Sequence, residues 1–326
     1  MKKKLITIAV AAALAPAAAL ADATVYGRVH VSYDSVTSAG LVNSTSVNSS
    51  SSRFGVRGGE GLGDDLKVVY QLETGVNVLN NNNGAGGAGD GNPGGGAPGN
   101  TLFTGMRTSY IGLAGDFGTF KVGRLDFGEQ YVYDSNLFAD QIGDAANLLS
   151  GNNYINGRAN GMLQYATPNR NGFDAALSYL PASSVDATFG TAPSATSGGN
   201  SYGIKLNYAN TGAAVHFAYF NVDTTSTTTL KPISLAGSYD FGKGMLTAQY
   251  LRSKADVAGV SATQSIYNIG GSFNVTGNSA IKAQYSKAND LTGTANSGDL
   301  HRKMHPEMAS WGGPESVKAH EGGGHH

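Results

Sequence analysis

The residues of this 326-residue chain that could do chemistry are mostly the wrong kind for a reaction. There is no Cys, which removes thiol nucleophiles, disulfide scaffolds, zinc fingers and iron–sulfur clusters. Five of the seven His fall in residues 301–326. The other two, His30 and His216, have no evident Ser or acidic partner in sequence. Gly84-Ala85-Gly86-Gly87-Ala88-Gly89 spells a GxGxxG pattern, but it runs into Asp90-Gly91-Asn92-Pro93 with no helix to follow, so it reads as a loop tip. No Walker motif, HExxH or GxSxG elbow appears. What remains is fixed charge. Arg53 and Arg57 share a parity opposite Phe54 and Val56, and Arg158 shares one with Asn160 and Gln164, opposite Leu163 and Tyr165. Arg28 falls with Thr24, Tyr26, His30 and Ser32. Guanidinium groups on the polar face of a sheet attract anions and orient dipoles; they break no bonds. The chemistry is electrostatic, and no enzyme activity, cofactor or metal is expected.

Those arginines must be held by strands. Alternation with a period of two dominates from Thr24 to about Lys287. Tyr202, Ile204, Leu206 and Tyr208 alternate with Gly203, Lys205 and Asn207; Leu66, Val68, Tyr70 and Leu72 alternate with Lys67, Gln71 and Glu73. About thirteen strands are predicted between residues 24 and 288. Their connections are lopsided. Short turns (residues 59–64, 115–118, 169–172, 209–212, 240–244 and 276–279) alternate with long polar ones (37–48, 79–100, 126–157, 181–200, 224–230 and 255–262). Aromatics gather near strand ends: Tyr26, Tyr33, Phe54, Tyr179, Tyr202, Tyr239 and Phe273. A soluble β-sandwich alternates too, but lopsided loops and aromatic girdles describe an antiparallel transmembrane β-barrel. Lipid cannot satisfy an open strand edge, so a spanning sheet must close.

Composition agrees. Gly reaches 47 residues, about twice the ordinary share, and charged residues are only 14%. A net charge of −1 gives no electrostatic case for nucleic acid. Lys2, Lys3 and Lys4, an apolar stretch from Leu5 to Leu20 and the Ala19-Leu20-Ala21 site read as a signal peptide over residues 1–21. The mature chain then begins at Asp22 with 19 basic and 23 acidic residues, a net charge of −4.

The order of segments resembles the Gram-negative general porins of the β-proteobacterial type. The matching pieces are Val25-Tyr26-Gly27-Arg28, Ser52-Arg53-Phe54-Gly55-Val56-Arg57-Gly58, Glu60-Gly61-Leu62-Gly63 and Arg107-Thr108-Ser109-Tyr110-Ile111-Gly112-Leu113. Asp116-Phe117-Gly118-Thr119-Phe120-Lys121-Val122-Gly123-Arg124 follows, then Asn156-Gly157-Arg158 and Tyr165-Ala166-Thr167-Pro168. The resemblance implies a 16-stranded barrel in outer-membrane lipid, assembled as a homotrimer and passing small hydrophilic solutes and ions by diffusion. It also implies a third loop that folds inward, here residues 126–157, carrying acidic groups that face a basic wall. Asp140 and Asp144 match the acidic pair, with Glu129 and Asp134 as further candidates; Arg28, Arg53, Arg107 and Arg158 match the basic positions, and Arg57 joins them by parity. A structural or adhesin barrel binding partners through its long loops is the alternative.

The barrel is expected over residues 22–290. From about Leu291 the alternation vanishes, and residues 291–326 form an atypical tail ending in His325-His326. The resemblance calls for three more strands and a terminal aromatic there. An out-of-frame gene end, a native divergent tail and a metal-binding tail are the three readings.

Overall fold

Apolar side chains on one parity and polar ones on the other make strands that can bury neither face fully, and such strands pair side by side. The computed structural model describes residues 23–36, 44–79, 102–127, 135–141, 143–148, 158–182, 199–225 and 227–289. The expected signal peptide and the tail beyond residue 290 lie outside them, as do Glu129 and Asp134. The strands are β1 (Thr24–Arg28), β2 (Val31–Val36), β3 (Ser44–Ser49), β4 (Arg53–Gly63), β5 (Leu66–Val76), β6 (Phe103–Met106), β7 (Ser109–Gly115) and β8 (Gly118–Asp126). After a 3₁₀ turn at Ala145–Leu148 come β9 (Arg158–Ala166), β10 (Phe173–Leu180), β11 (Ser201–Ala209), β12 (Ala213–Thr225), β13 (Thr228–Asp240), β14 (Gly244–Val257), β15 (Val260–Thr276) and β16 (Ser279–Ala288).

One antiparallel sheet runs β1-β4-β5-β7-β8 and then in sequence order to β16, with β6 also on β5 and β2 on β3. Three neighbouring pairs are single strands with a local break. Ser50 N donates to His30 O (2.8 Å) between β1/β2 and β3/β4, and β6 and β7 both pair with β5. The described wall therefore has thirteen staves, the number predicted from alternation.

The wall is apolar outside and polar inside. Leu72 and Ile269 are 62% and 59% exposed, whereas Ser253 and Asn268 are at 0% and 1%. Such a distribution suits a sheet with lipid on its convex face. Tyr33, Phe54, Tyr179, Tyr202, Tyr239 and Phe273 are exposed, as girdle residues must be. Tyr26 is not: its hydroxyl turns inward to Glu73, 2.9 Å away, on the parity of Arg28. A smaller apolar cluster lies inside, where Phe127 meets Phe220 edge-on (4.9 Å between centroids) beside Leu148, Met162 and Leu251.

Two expected long connections are tight turns. β12 and β13 pair as far as Thr225 with Thr228, and β14 and β15 as far as Val257 with Val260. Thr, Ser and Ala made these stretches look like loops. Their inward positions (Leu230, Ala255 and Ala262) are buried, so alternation simply continues. The connection expected over 37–48 is also shorter, because β3 starts at Ser44.

Two turns give opposite substitution effects. Gly172 has φ +89°, and a Cβ there would sit 2.1 Å from the Ala209 carbonyl oxygen. Ala258 already carries a Cβ at φ +47°. In urea titrations of the detergent-folded protein, Gly172→Ala lowers stability by at least about 1–2 kcal/mol. Ala258→Gly does not lower it.

Candidate functional site

Register places like charges together. Arg28 on β1 lies directly opposite Arg53 on β4, an arrangement that repels unless anions intervene. Glu73 of β5 supplies the first. Its Oε1 is 2.8 Å from Arg107 Nε and its Oε2 is 3.9 Å from Arg53 Nε. Arg107 is 2% exposed, a burial that a guanidinium tolerates only when paired. Arg158 has its own partners: Nε is 2.8 Å from Asp126 Oδ1 and 2.9 Å from Thr108 Oγ1, and the Thr108 hydroxyl donates to Asp126. The register shifts between Gly123 and Leu125, opposite the start of β9. Parity is broken there, so the position of Arg158 rests on these contacts and not on alternation with Asn160 and Gln164.

The segment after β8 supplies the next anion. Ser135 Oγ donates to Gly237 O on β13 (3.1 Å). Asn268 Nδ2 on β15 donates to Ser135 O (3.4 Å), and Gln264 Nε2 on β15 to Leu148 O (2.9 Å). Leu137 N donates to Gln284 Oε1 on β16 (2.9 Å), and Gln284 Nε2 donates to Asn136 Oδ1 and Gly143 O. The Gln141 amide lies 3.3 Å from His30 Nε2, between β1 and β2. A segment that leaves mid-sheet and touches both sheet edges must cross the hollow of the wall. Among the described residues no ladder joins β1 to β16; this segment bridges them.

Asp140 sits on it at φ +67°, within electrostatic reach of Arg107, Arg28, Arg53 and Arg158. Desolvation outweighs those four cations and pushes its carboxyl above the usual aspartate range. Asp144 does a different job. Its Oδ1 accepts from Asn136 Nδ2 (2.5 Å) and its Oδ2 from Asp140 N (2.9 Å), so both oxygens are spent shaping the segment.

Of the basic residues expected from sequence, Arg28, Arg53, Arg107 and Arg158 gather around Asp140. Arg57 stands apart, its guanidinium 5.2 Å from the centroid of the Tyr26 ring. Sequence reasoning passed over Glu73, Asp126 and Lys282. Glu73 lay on the polar parity with Lys67 and Gln71, which was the available signal. Lys282 on β16 feels the charge of Arg28 across the gap between the sheet edges. Replacing Glu73 by Gln removes the carboxylate 2.8 Å from the buried Arg107 guanidinium. The expected result is a loss of about 3–5 kcal/mol, read as a lower urea midpoint, with Asp140→Asn in parallel losing far less.

Comparison with known proteins assigns this arrangement. The family profile described as Gram-negative porin matches residues 7–303. The outer membrane porin protein 32 of Delftia acidovorans is 33% identical over 304 residues, covering 88% of this chain and 80% of that protein. The major outer membrane protein P.IB of Neisseria gonorrhoeae is 30% identical, covering 67% of this chain and 56% of its own length. A solved structure, the anion-selective porin from Comamonas acidovorans, superimposes with a TM-score of 0.57 at 26% identity, covering 83% of this chain and 79% of that one. OmpF of Salmonella typhi shares the fold at 17% identity, with a TM-score of 0.57 over 85% of this chain and 82% of its own. An inside-polar antiparallel wall, a segment crossing its hollow and a profile spanning nearly the whole sequence agree, and the chain belongs to the Gram-negative porin family of outer-membrane β-barrel proteins.

Proposed function

We propose that the chain forms a water-filled channel for passive diffusion of small hydrophilic solutes and ions, narrowed by the inward-folded third loop. The observation that carries this reading is Asp140, held on the crossing segment opposite arginines of the wall. A charge pair across a wet gap makes a transverse field. Polar solutes align in it, and apolar ones must shed water to pass. Among the described residues, Arg28, Arg53, Arg107, Arg158 and Lys282 stand against Glu73, Asp126, Asp140 and Asp144. The excess of one cation favours anions mildly, in line with the similar porin from Comamonas acidovorans, which is anion-selective. Asp144 acts here as a positioning residue. The chain works as a homotrimer, which native mass spectrometry in detergent tests directly.

Reversal potentials across a planar bilayer under a KCl gradient test the filter. Asp140→Asn raises the chloride-to-potassium permeability ratio about two- to threefold and Arg53→Gln lowers it. Clear cation selectivity of the unmodified protein sinks the reading.

Acidity acts in the same direction. Burial raises the Asp140 carboxyl, so it takes up its proton at a higher pH than an exposed aspartate. Its neutralisation leaves Arg28, Arg53, Arg107 and Arg158 less compensated. Anion preference therefore rises as the pH falls toward the aspartate range, and Asp140→Asn flattens that rise.

A further inference from the structure

Three cations break the apolar pattern of the outer face. On β14 the outward positions run Leu246, Ala248, Tyr250, Arg252 and Lys254, while Thr247, Gln249, Leu251, Ser253 and Ala255 between them are buried. On β13 the outward run is Tyr239, Gly237, Leu235, Ile233 and Lys231. Both runs are apolar or neutral from the turn that joins the two strands, and both turn cationic toward the opposite rim. Hydrocarbon penalises a charge at mid-depth and tolerates one near the interface. Aromatic rings mark the changeover. Tyr250 and Tyr267 on β15 are direct cross-strand partners, with centroids 5.1 Å apart. Arg252 and Lys254 are the next outward positions past that pair, at the depth of lipid headgroups.

The three cations are close enough to share one ligand. Lys231 is the direct partner of Lys254, and Ile233 is the partner of Arg252, so Arg252 and Lys231 are diagonal neighbours. Direct partners have Cβ atoms ~5 Å apart and diagonal ones ~7 Å, within reach of such long side chains. One oxyanion already shows the convergence. Asp256 Oδ1 is 2.9 Å from Lys254 Nζ, and its Oδ2 is 4.0 Å from Lys231 Nζ. The Ser261 hydroxyl also donates to Asp256. Both lysine side chains remain 42% exposed while they reach that single carboxylate. Arg252 is exposed and, among the described residues, has no carboxylate within ion-pair distance. Asp223 on β12 is within that distance of none of the three. One paired carboxylate against three cations leaves positive charge facing outward.

We propose that Lys231, Arg252 and Lys254 bind the phosphate of an anionic lipid headgroup on the outer surface of the wall. Solutes inside the wall do not reach this face, whose neighbours are lipids. Lysines placed directly opposite each other repel, and a single aspartate offsets only part of that. A headgroup phosphate between Arg252 and the lysines completes the balance. The guanidinium presents a planar fork to the phosphate oxygens, and the ammonium groups add charge. The acyl chains then lie over exposed Leu235, Leu246 and Tyr250. The proposal needs the lipid-facing wall and not the channel reading.

The test is native mass spectrometry of the detergent-folded full chain, incubated with phosphatidylglycerol or with phosphatidylcholine of the same acyl chains. The unmodified protein is expected to retain phosphatidylglycerol in preference to phosphatidylcholine, whose headgroup carries its own cation. Arg252→Gln weakens phosphatidylglycerol binding about fivefold, and the triple variant Lys231→Gln, Arg252→Gln and Lys254→Gln weakens it about tenfold or more. The charge-conserving triple variant Lys231→Arg, Arg252→Lys and Lys254→Arg keeps most of the binding. Heat-modifiable gel mobility checks that each variant is folded. A large excess of inorganic phosphate leaves the lipid in place; its displacement by phosphate overturns the assignment to a lipid. Equal retention of phosphatidylglycerol by the folded glutamine variants overturns the site, as does equal retention of both lipids by the unmodified protein.

Discussion

A strand in hydrocarbon has no water to satisfy its peptide groups, so every backbone donor and acceptor must find a neighbouring strand. The pairing observed here follows that constraint. Strands β8 to β16 pair strictly in sequence order, and each break in the earlier strands is patched, as where His30 N donates to Ser52 Oγ across the first one. Once pairing is compulsory, side chains alone distinguish the two faces. The outer face carries Leu, Ile, Val and aromatics, and the inner face carries Ser, Asn, Gln and charge. An inner face of that kind cannot close on itself as a dry core. It has to be filled with water or with polar chain, and the segment after β8 is polar chain.

Much of this wall was legible as alternation, because period two is a direct projection of a strand with unlike faces. All thirteen staves fall where the pattern puts them. Misreadings occurred where composition spoke louder than period. The Thr-rich start of β13 and the Ser-containing start of β15 looked like loops, yet their inward residues Leu230 and Ala262 are buried. Parity also failed near Arg158, because a register shift between Gly123 and Leu125 leaves no sign in residue types. Asp140 was reachable through resemblance alone. Its place depends on contacts with β13, β15 and β16 more than 90 residues away in the chain, and no local pattern encodes them. Glu73 was within reach by parity. What hid it was that a lone Glu on a polar face looks the same whether it meets water or three partners.

Charge placement follows from register. Putting Arg28 opposite Arg53 costs repulsion that a protein built for stability alone would avoid. The carboxylates around the pair are shared unevenly. Glu73 binds Arg107 closely at 2.8 Å and Arg53 loosely at 3.9 Å. The buried member is fully paired, while the more exposed Arg53 keeps part of its field for the gap. A guanidinium at 2% exposure projects little into solution; one at 31% does. Graded pairing thus divides the cluster into two buried, closely paired arginines, Arg107 and Arg158, and the more exposed Arg28 and Arg53.

Among the described residues, the crossing segment is tethered to the far wall by neutral groups. Gln264, Asn268 and Gln284 meet backbone or amide oxygens of the segment, and Ser135 meets a wall carbonyl. Among the described residues of the segment, the Asp140 carboxylate faces the wall cations and makes none of these tethers. Neutral hydrogen bonds hardly respond to ionic strength, whereas the field between exposed charges is screened within about 10 Å at 0.1 M salt. A segment tied down by ion pairs would loosen whenever salt weakened the filter, and pore width would then drift with selectivity. In the proposed channel, holding the segment by amides and setting the filter by charge lets the two vary independently as the external ionic strength changes.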